Sequence, residues 1–189
     1  MKRFDEIEKM FAKASDINTS AEDLALLATE DDIAILIAVA KHPKTPAEVL
    51  IRLATNEKLP ELDFNCHLRI ALVHNPKTPF VALKALAKYR CTMYGVARHE
   101  NATLDLIREM IDQYDNDEHI KEELKERLEA CEDPEVFKKF ADDVRPSIRE
   151  IVAYSPNTPV EVRQKLANDV NIFVRNAATR KMRETSRSR

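Results

Sequence analysis

The chain has 189 residues, 44% of them hydrophobic and 33% charged, and a formal net charge of −3. This balance is typical of a folded globular protein and excludes a disordered or fibrous chain. A single glycine and three widely spaced cysteines exclude glycine-rich phosphate loops, a disulfide framework and a zinc site of paired ligands. No apolar run approaches the roughly 20 residues that cross a bilayer, and the first residues turn acidic where a signal peptide is apolar, so we expect a cytoplasmic protein.

The first 17 residues predict an amphipathic helix. Its apolar residues recur at helical spacing, and they are Phe4, Ile7, Met10, Phe11 and Ala14. Such a helix suits the end of a repeat array, where an apolar face needs a cover.

Residues 18–181 contain an internal repeat. The segment His-Pro-Lys-Thr-Pro at 42–46 returns as Asn-Pro-Lys-Thr-Pro at 75–79 and as Ser-Pro-Asn-Thr-Pro at 155–159. With Pro46 as the reference, the equivalent positions are Ser20, Pro46, Pro79, Thr103, Asp133 and Pro159. Apolar residues stand at most of the positions four and seven places further on, and a small residue usually stands at the eighth. The pattern predicts six units, each with an amphipathic helix after the reference position.

The starts of these helices resemble capping boxes. In Thr45-Pro46-Ala47-Glu48, and in its counterpart at 158–161, a hydroxyl precedes the helix and a carboxylate stands three places later. The segment 19–22 repeats the pattern without proline. We therefore expect Thr19, Thr45 and Thr158 to cap the helices that follow them.

Each unit also holds a second, shorter apolar segment. About 24 residues must contain both segments and two turns, which predicts a short second helix of α or 3₁₀ type. The fold prediction is therefore an all-α solenoid of two-helix repeats, forming one domain over residues 1–181. Residues 182–189 read as a flexible basic tail.

Two irregularities interrupt the array, near 58–65 and near 112–132. The first contains Pro60 and predicts a surface loop. The second contains an acidic segment, 117–131, whose apolar residues Ile120, Leu124 and Leu128 lie four apart and predict a longer helix.

The segments 68–87 and 166–177 resemble the repeat unit of the leucine-rich repeat variant family. This resemblance extends over about residues 18–181 and implies a right-handed α-solenoid of the armadillo or HEAT type, with alternating α- and 3₁₀-helices. The founding example of that family also carries an N-terminal cysteine cluster for an iron–sulfur centre. Because residues 1–65 contain no cysteine, the resemblance does not extend to that cofactor, and we expect none.

Two groups of residues invite a metal or catalytic interpretation. His42, Asn75, His99 and Ser155 share one repeat position, but stacked units are roughly 8–10 Å apart, too far for residues of different units to share one ion. We expect these side chains to bond the turn before each helix. Cys66-His67 and Cys91 lack a further ligand or an orienting acid, so we expect small packed thiols. The sequence predicts no metal site and no catalytic residue.

Charged residues recur as well. Acids stand two places after the reference position, at Glu22, Glu48, Asp105, Glu135 and Glu161. Arg69, Arg149 and Arg175 share a position in the second segment, where a guanidinium can bond carbonyls at helix ends. Cations that could contact a ligand are Arg52, Lys84, Arg108, Lys138, Lys139, Lys165 and Arg175. The helix macrodipole alone also accounts for acids near helix N-termini and cations near C-termini.

These patterns favour a non-catalytic scaffold that binds a protein or peptide. The alternative is a HEAT-like protein that binds the DNA backbone through the basic positions, an interpretation opposed by the acidic net charge and the absence of tryptophan. A third hypothesis is head-to-tail assembly, since residues 112–150 carry −7 and residues 151–189 carry +5. The sequence identifies neither the partner nor the oligomeric state.

Overall fold

The computed structural model describes residues 2–56, 63–114 and 117–187, and it describes side chains within 4–56, 66–114 and 117–184. These residues form thirteen α-helices and no strand, so the predicted all-α class is confirmed. The helices are α1 (Lys2–Ser15), α2 (Ala21–Leu27), α3 (Ile33–Lys41), α4 (Ala47–Ala54), α5 (Asp63–His74), α6 (Phe80–Leu86), α7 (Met93–Arg98), α8 (Leu104–Gln113), α9 (Glu118–Ala130), α10 (Pro134–Ala141), α11 (Pro146–Tyr154), α12 (Val160–Leu166) and α13 (Ile172–Arg187).

The helices belong to two compact units, unit 1 (Met1–Leu106) and unit 2 (Ile107–Arg189). In unit 1, α1, α3, α5 and α7 pack against one another in succession, and α4 packs on α6. In unit 2, α9, α11 and α13 pack in succession, and α10 packs on α12. Each unit therefore contains a row of odd-numbered helices beside a row of even-numbered helices. A single domain over 1–181 stays a prediction.

The predicted repeat register is confirmed. Every reference position directly precedes an even-numbered helix, from Ser20 before α2 to Pro159 before α12. The side chains four and seven places later are buried, and those of Leu50, Leu53, Leu83 and Leu86 are at most 4% exposed. The apolar stripe of each even-numbered helix therefore belongs to the core, where it supplies the main stabilising term.

The threonines do not cap the helices that follow them, so the capping-box prediction is wrong. Thr45 Oγ1 instead donates a 2.5 Å hydrogen bond back to Val39 O near the end of α3, and Pro46 occupies the cap position. The same backward bond, six residues long, is made by Thr19, Thr78 and Thr158. These hydroxyls occupy carbonyls that a helix C-terminus leaves without an intrahelical partner, and they thereby close the turn. Before α2 the capping side chain is that of Ser20, which accepts from the amide of Asp23.

The second helix of each sequence repeat is an α-helix. Among the described residues no 3₁₀ segment occurs, and the odd-numbered helices after α1 range from 6 to 16 residues. The option of a 3₁₀ second helix is therefore wrong for this part of the chain. The more apolar of these segments, such as α3, are long enough to make ordinary i to i−4 bonds.

The interruptions are partly described. The predicted surface loop at 58–65 falls largely outside the described residues, but α5 already begins at Asp63, so 63–65 are helical. The predicted acidic helix is confirmed as α9, with Ile120, Leu124 and Leu128 fully buried. Helix α13 continues to Arg187, through most of the segment predicted as a flexible tail, and residues 188 and 189 lie outside the described residues.

Helix α1 covers part of the first repeat, packing on α2 and α3. Ala14 is fully buried, whereas Phe4 is 70% and Phe11 43% exposed. The prediction that this helix covers the first repeat is therefore wrong for Phe4, whereas Phe11 lines a groove with Ile37 and Ala38 of α3. In the described parts of the chain, the helices lack the combination of length and apolarity that a bilayer crossing needs.

Candidate functional site

The residues at the shared turn position form a ladder of hydrogen bonds in unit 1. The amide of Lys44 donates to His42 Nδ1 at 3.1 Å, so Nε2 carries the ring proton and donates to Asp16 O of the preceding repeat at 3.0 Å. His99 does the same between the amide of Asn101 and Asn75 O, at 3.1 and 3.0 Å. Both nitrogens of each imidazole are thus used, and neither ring has a lone pair left for a metal.

Asn75 is the middle rung of this ladder. Its Nδ2 donates to Ala40 O at 2.7 Å and to His42 O at 3.1 Å, and its Oδ1 accepts from the amide of Lys77. The side chain is 2% exposed. The expectation that this position bonds the turn is therefore confirmed, and the structure adds that each side chain also reaches back to the preceding repeat.

Unit 2 contains an equivalent rung. Ser155 Oγ donates to Leu128 O at 3.2 Å, and Asn157 Nδ2 donates to the carbonyls of Glu129 and Cys131. Two places after the turn position, Asn157 has the same role as Asn101 in unit 1, which donates to the carbonyls of Pro76 and Thr78.

Arg163 replaces the apolar residue found at the fourth position of the other repeats, yet it is only 4% exposed. Its Nη2 donates to Ser155 O at 2.8 Å and to Pro156 O at 3.3 Å. These carbonyls correspond by repeat position to those of Asn75 and Pro76, which in unit 1 accept from the next repeat. Arg163 therefore supplies, from within its own repeat, the donors that a following repeat supplies elsewhere. Burial lowers the pKa of its guanidinium.

Ion pairs join neighbouring repeats in unit 2. Arg149 binds Asp169 with two hydrogen bonds of 2.7 and 2.9 Å, and both side chains are at most 11% exposed. The Arg149 guanidinium lowers the pKa of Asp169, more than burial raises it.

Arg149 also donates to the carbonyls of Asp143 and Val144, as Arg175 does to those of Asp169 and Val170. The predicted bonding of carbonyls by this arginine position is confirmed for these two. Arg69 differs, because its guanidinium stacks 3.7 Å from the centre of the Tyr89 ring.

A second charged cluster in unit 2 contains two arginines and two aspartates. Arg108 binds Asp143 at 2.6 Å and Asp112 at 2.6 Å, and Arg145 also pairs with Asp112. Burial, and then the charge of Arg108, lower the pKa of Arg145. The carboxylates and the guanidiniums neutralise one another, so this cluster is suited to holding α8, α10 and α11 in place.

The structure gives most of the predicted binding cations an intramolecular role. Lys138 pairs with Glu135 and Lys165 with Asp142, and Arg52 Nη2 donates to Ala25 O at 3.3 Å. Arg108 and Arg175 take part in the contacts described above. Lys84 and Lys139 are exposed on α6 and α10. The predicted acidic positions are all exposed in the first turns of their helices.

Cys66 and Cys91 are neighbouring free thiols in unit 1. Burial, followed by this neighbouring thiol, raises the pKa of Cys91 to about 11. Cys91 is nevertheless exposed, so the expectation of a small packed thiol is wrong for it. Within the described part of the chain, no three His, Cys, Asp or Glu side chains are grouped so that they could hold a metal ion.

A groove of about 560 Å³ lies along α5 and α7 in unit 1. Its lining includes Val73, His74, Tyr94, Gly95, Arg98 and Glu100. His74 Nδ1 donates to Ile70 O at 2.7 Å, which leaves Nε2 as an acceptor. The groove thus combines an aromatic ring, an imidazole acceptor and charges of both signs.

Gly95 explains why α5 and α7 approach so closely. A Cβ atom at this position would lie 2.4 Å from Val73 Cγ1, so only glycine fits without a shift. Sequence reasoning missed the groove, although the one glycine of the chain was a signal for it.

Comparison of the chain with protein-family models, with curated proteins and with solved structures gave no match in any of the three.

Proposed function

We propose that the protein is a non-catalytic interaction scaffold, a right-handed solenoid of two-helix repeats similar to the leucine-rich repeat variant family, which binds a protein or peptide in the cytoplasm. The two rows of helices and the ladder in unit 1 support the repeat architecture. The proposal assigns binding to the groove along α5 and α7.

One observation carries this proposal. The polar side chains at the shared repeat positions bond neighbouring repeats, whereas the groove is lined by Tyr94, Arg98 and Glu100, which the repeat pattern does not account for. Tyr94 is 41% exposed and supplies apolar area with a polar end, as aromatic residues at interfaces commonly do. Arg98 and Glu100 add charges of both signs. A peptide segment with an apolar side chain and mixed charges matches this lining.

DNA-backbone binding has less support. Arg108, Lys138 and Lys165 lie within hydrogen-bond distance of carboxylates, which compensate their charge locally. Duplex binding at two salt concentrations tests this alternative. An affinity for duplex DNA weaker than about 10⁻⁴ M at physiological salt would be below ordinary non-specific binding and would contradict this alternative.

The scaffold proposal is tested by affinity capture from cell extract with the immobilised chain at physiological salt. We expect a retained protein that is lost with the variant Tyr94→Ala. The matched control is Tyr154→Ala in unit 2, because Tyr154 is 39% exposed and lies outside the groove. Capture of no protein, or equal capture by Tyr94→Ala and the unmodified chain, would contradict the proposal.

A further inference from the structure

The row of odd-numbered helices in unit 1 contains a second groove that repeats the one along α5 and α7. It has a volume of about 330 Å³ and lies between α1 and α3. We call the two sites the α1–α3 groove and the α5–α7 groove. Every residue that lines the α5–α7 groove has a counterpart at the same repeat position in the lining of the α1–α3 groove. The pairs that decide the chemistry are Tyr94 and Ile37, Arg98 and Lys41, and His74 and Ser15.

The hydrogen-bond ladder establishes this equivalence. His42 donates to Asp16 O, Asn75 to His42 O, and His99 to Asn75 O, so the four residues occupy one position in successive repeats. Five places before each of them stands a large apolar residue, and these residues are Phe11, Ile37, Ile70 and Tyr94. We call this set the apolar strip. Its two ends are exposed aromatic rings, because Phe11 is 43% and Tyr94 41% exposed.

Positive charge accompanies the apolar strip. Directly before the ladder position stand exposed residues that carry or accept a proton, Lys41, His74 and Arg98. The segments 33–44, 66–77 and 91–101, which contain α3, most of α5 and α7 with the turns after them, include five basic residues and one acidic residue, Glu100. Of these basic residues only Arg69 is buried. Helix α1 adds four basic and three acidic residues, so it does not reverse the sign.

From these observations we propose that one extended acidic peptide of a partner protein crosses unit 1, with an apolar side chain in each groove and its carboxylates on the cations beside the apolar strip. Complementary charge selects an acidic peptide over a basic one. The exposed aromatic ring in each groove favours a peptide over a nucleic-acid backbone, which offers phosphates without apolar anchors. The inference rests on the proposed function and specifies the chemistry of the partner.

The packing of the row also specifies the spacing of the two anchors. Because α1, α3, α5 and α7 pack in succession, the grooves are two helix spacings apart, which is about 16–20 Å. An extended chain rises about 3.3 Å per residue and covers this distance in about five or six residues. The expected peptide therefore has two apolar residues at that separation, with acids between them. Glu100, in the α5–α7 groove, suits a backbone N–H or a basic residue next to the second anchor.

A random peptide library displayed on phage tests this without assuming a sequence. Selection on the immobilised full chain at physiological salt is expected to enrich peptides with an excess of acids and with two apolar residues at the stated separation. The most enriched peptide is then synthesised with a fluorescein label and titrated by fluorescence anisotropy. Its affinity should fall severalfold between about 50 and 500 mM salt, because the Debye length shortens. No enrichment, or enrichment of peptides without excess acids, would overturn the proposal.

Variants of the α1–α3 groove sharpen the test with the same labelled peptide. Phe11→Ala is expected to weaken binding about tenfold, as loss of an aromatic anchor does. Lys41→Glu places a carboxylate opposite the acids of the peptide and should weaken binding at least about threefold. The matched controls are Phe4→Ala, on the same helix but outside the groove, and Lys84→Glu, exposed on the even-numbered α6. Circular dichroism checks that all four variants are folded.

The outcomes distinguish this inference from the proposed function. A peptide that Tyr94→Ala weakens, but that Phe11→Ala and Lys41→Glu leave unchanged, would overturn the inference and leave binding at the α5–α7 groove standing. A peptide that none of the three changes affects would contradict both. Duplex DNA that binds more tightly than the peptide, and that Lys41→Glu weakens, would overturn the peptide in favour of a phosphate backbone.

Discussion

Units 1 and 2 join successive repeats by different chemistry. In unit 1 the buried rungs are neutral, with His42, Asn75 and His99 donating to backbone carbonyls of the preceding repeat. In unit 2 the rung at Ser155 is supplemented by the Arg149–Asp169 ion pair. One repeat geometry therefore tolerates both solutions, provided that each buried donor and acceptor finds a partner.

The largest loss of stability is expected from breaking the ion pair between Arg149 and Asp169 in unit 2. Asp169→Asn leaves the mostly buried Arg149 without its carboxylate and should lower the free energy of unfolding by about 3 kcal/mol at neutral pH. Urea denaturation measures this loss. The control Asp142→Asn removes an exposed pair with Lys165 and should cost under about 1 kcal/mol.

The pH dependence of this ion pair follows from the lowered pKa of Asp169. The folded protein holds the carboxylate proton less tightly than the unfolded chain does, so the stabilisation is complete above the ordinary value of 3.8 and is lost as pH falls through the lower folded value. The stability difference between the unmodified chain and Asp169→Asn should therefore shrink below pH 3.8. A difference that stays constant down to the acid limit would contradict this assignment.

Breaking the hydrogen bonds of Asn75 in unit 1 should lower the free energy of unfolding by a somewhat smaller amount. Asn75→Ala removes two donors from buried carbonyls and should cost about 2 kcal/mol, with little dependence on salt. Asn101→Ala is the matched control, because its two donor bonds lie nearer the surface. Equal losses of unfolding free energy for the two variants would show that burial does not determine how much these hydrogen bonds stabilise the fold.

The close approach at Gly95 gives a third test within unit 1. In Gly95→Ala the new methyl group clashes with Val73, at about 2 kcal/mol, and better helix propensity offsets about 1 kcal/mol of this, leaving a net loss of about 1 kcal/mol. In a Val73→Ala background the clash is relieved, and the same substitution should become stabilising. Thermal unfolding of all four chains measures the coupling. Independent, additive effects would indicate that the helices are not in contact at this point.

The smallest expected effect concerns the thiol of Cys91 in unit 1. With the pKa of Cys91 raised to about 11, little of it is thiolate at pH 7.5, and alkylation should be slow. Cys66→Ala removes the neighbouring thiol, so the pKa should fall and alkylation should become a few times faster. Mass spectrometry of Cys91 after timed exposure to iodoacetamide follows the rate, and Cys131→Ala is the control. An unchanged rate in Cys66→Ala would rule out the influence of the neighbouring thiol.

The repeat register could be predicted because local chemistry determines it. Leu50 and Leu83 recur at helical spacing behind a turn signal, and burial then follows from amphipathicity. The turn role of Asn75 was also foreseen, since its side chain can bond an amide two residues ahead.

Contacts between distant segments were harder to predict. The pairing of Arg149 with Asp169 depends on how two helices stack, and nothing in their separation of 20 residues specifies it. The threonine prediction was wrong for a different reason: a hydroxyl before a helix can also reach back to the helix that has just ended, and Thr45 does so. The groove at Tyr94 lacked any repeat signature.

The contacts of Arg163 have a consequence for engineering. A module grafted behind α13 would bring histidine and asparagine donors to Ser155 and Pro156, but the guanidinium already holds both oxygens. Exchanging Arg163 for leucine, which three of the other repeats carry at this position, is therefore expected to free both carbonyls for donors from such a module.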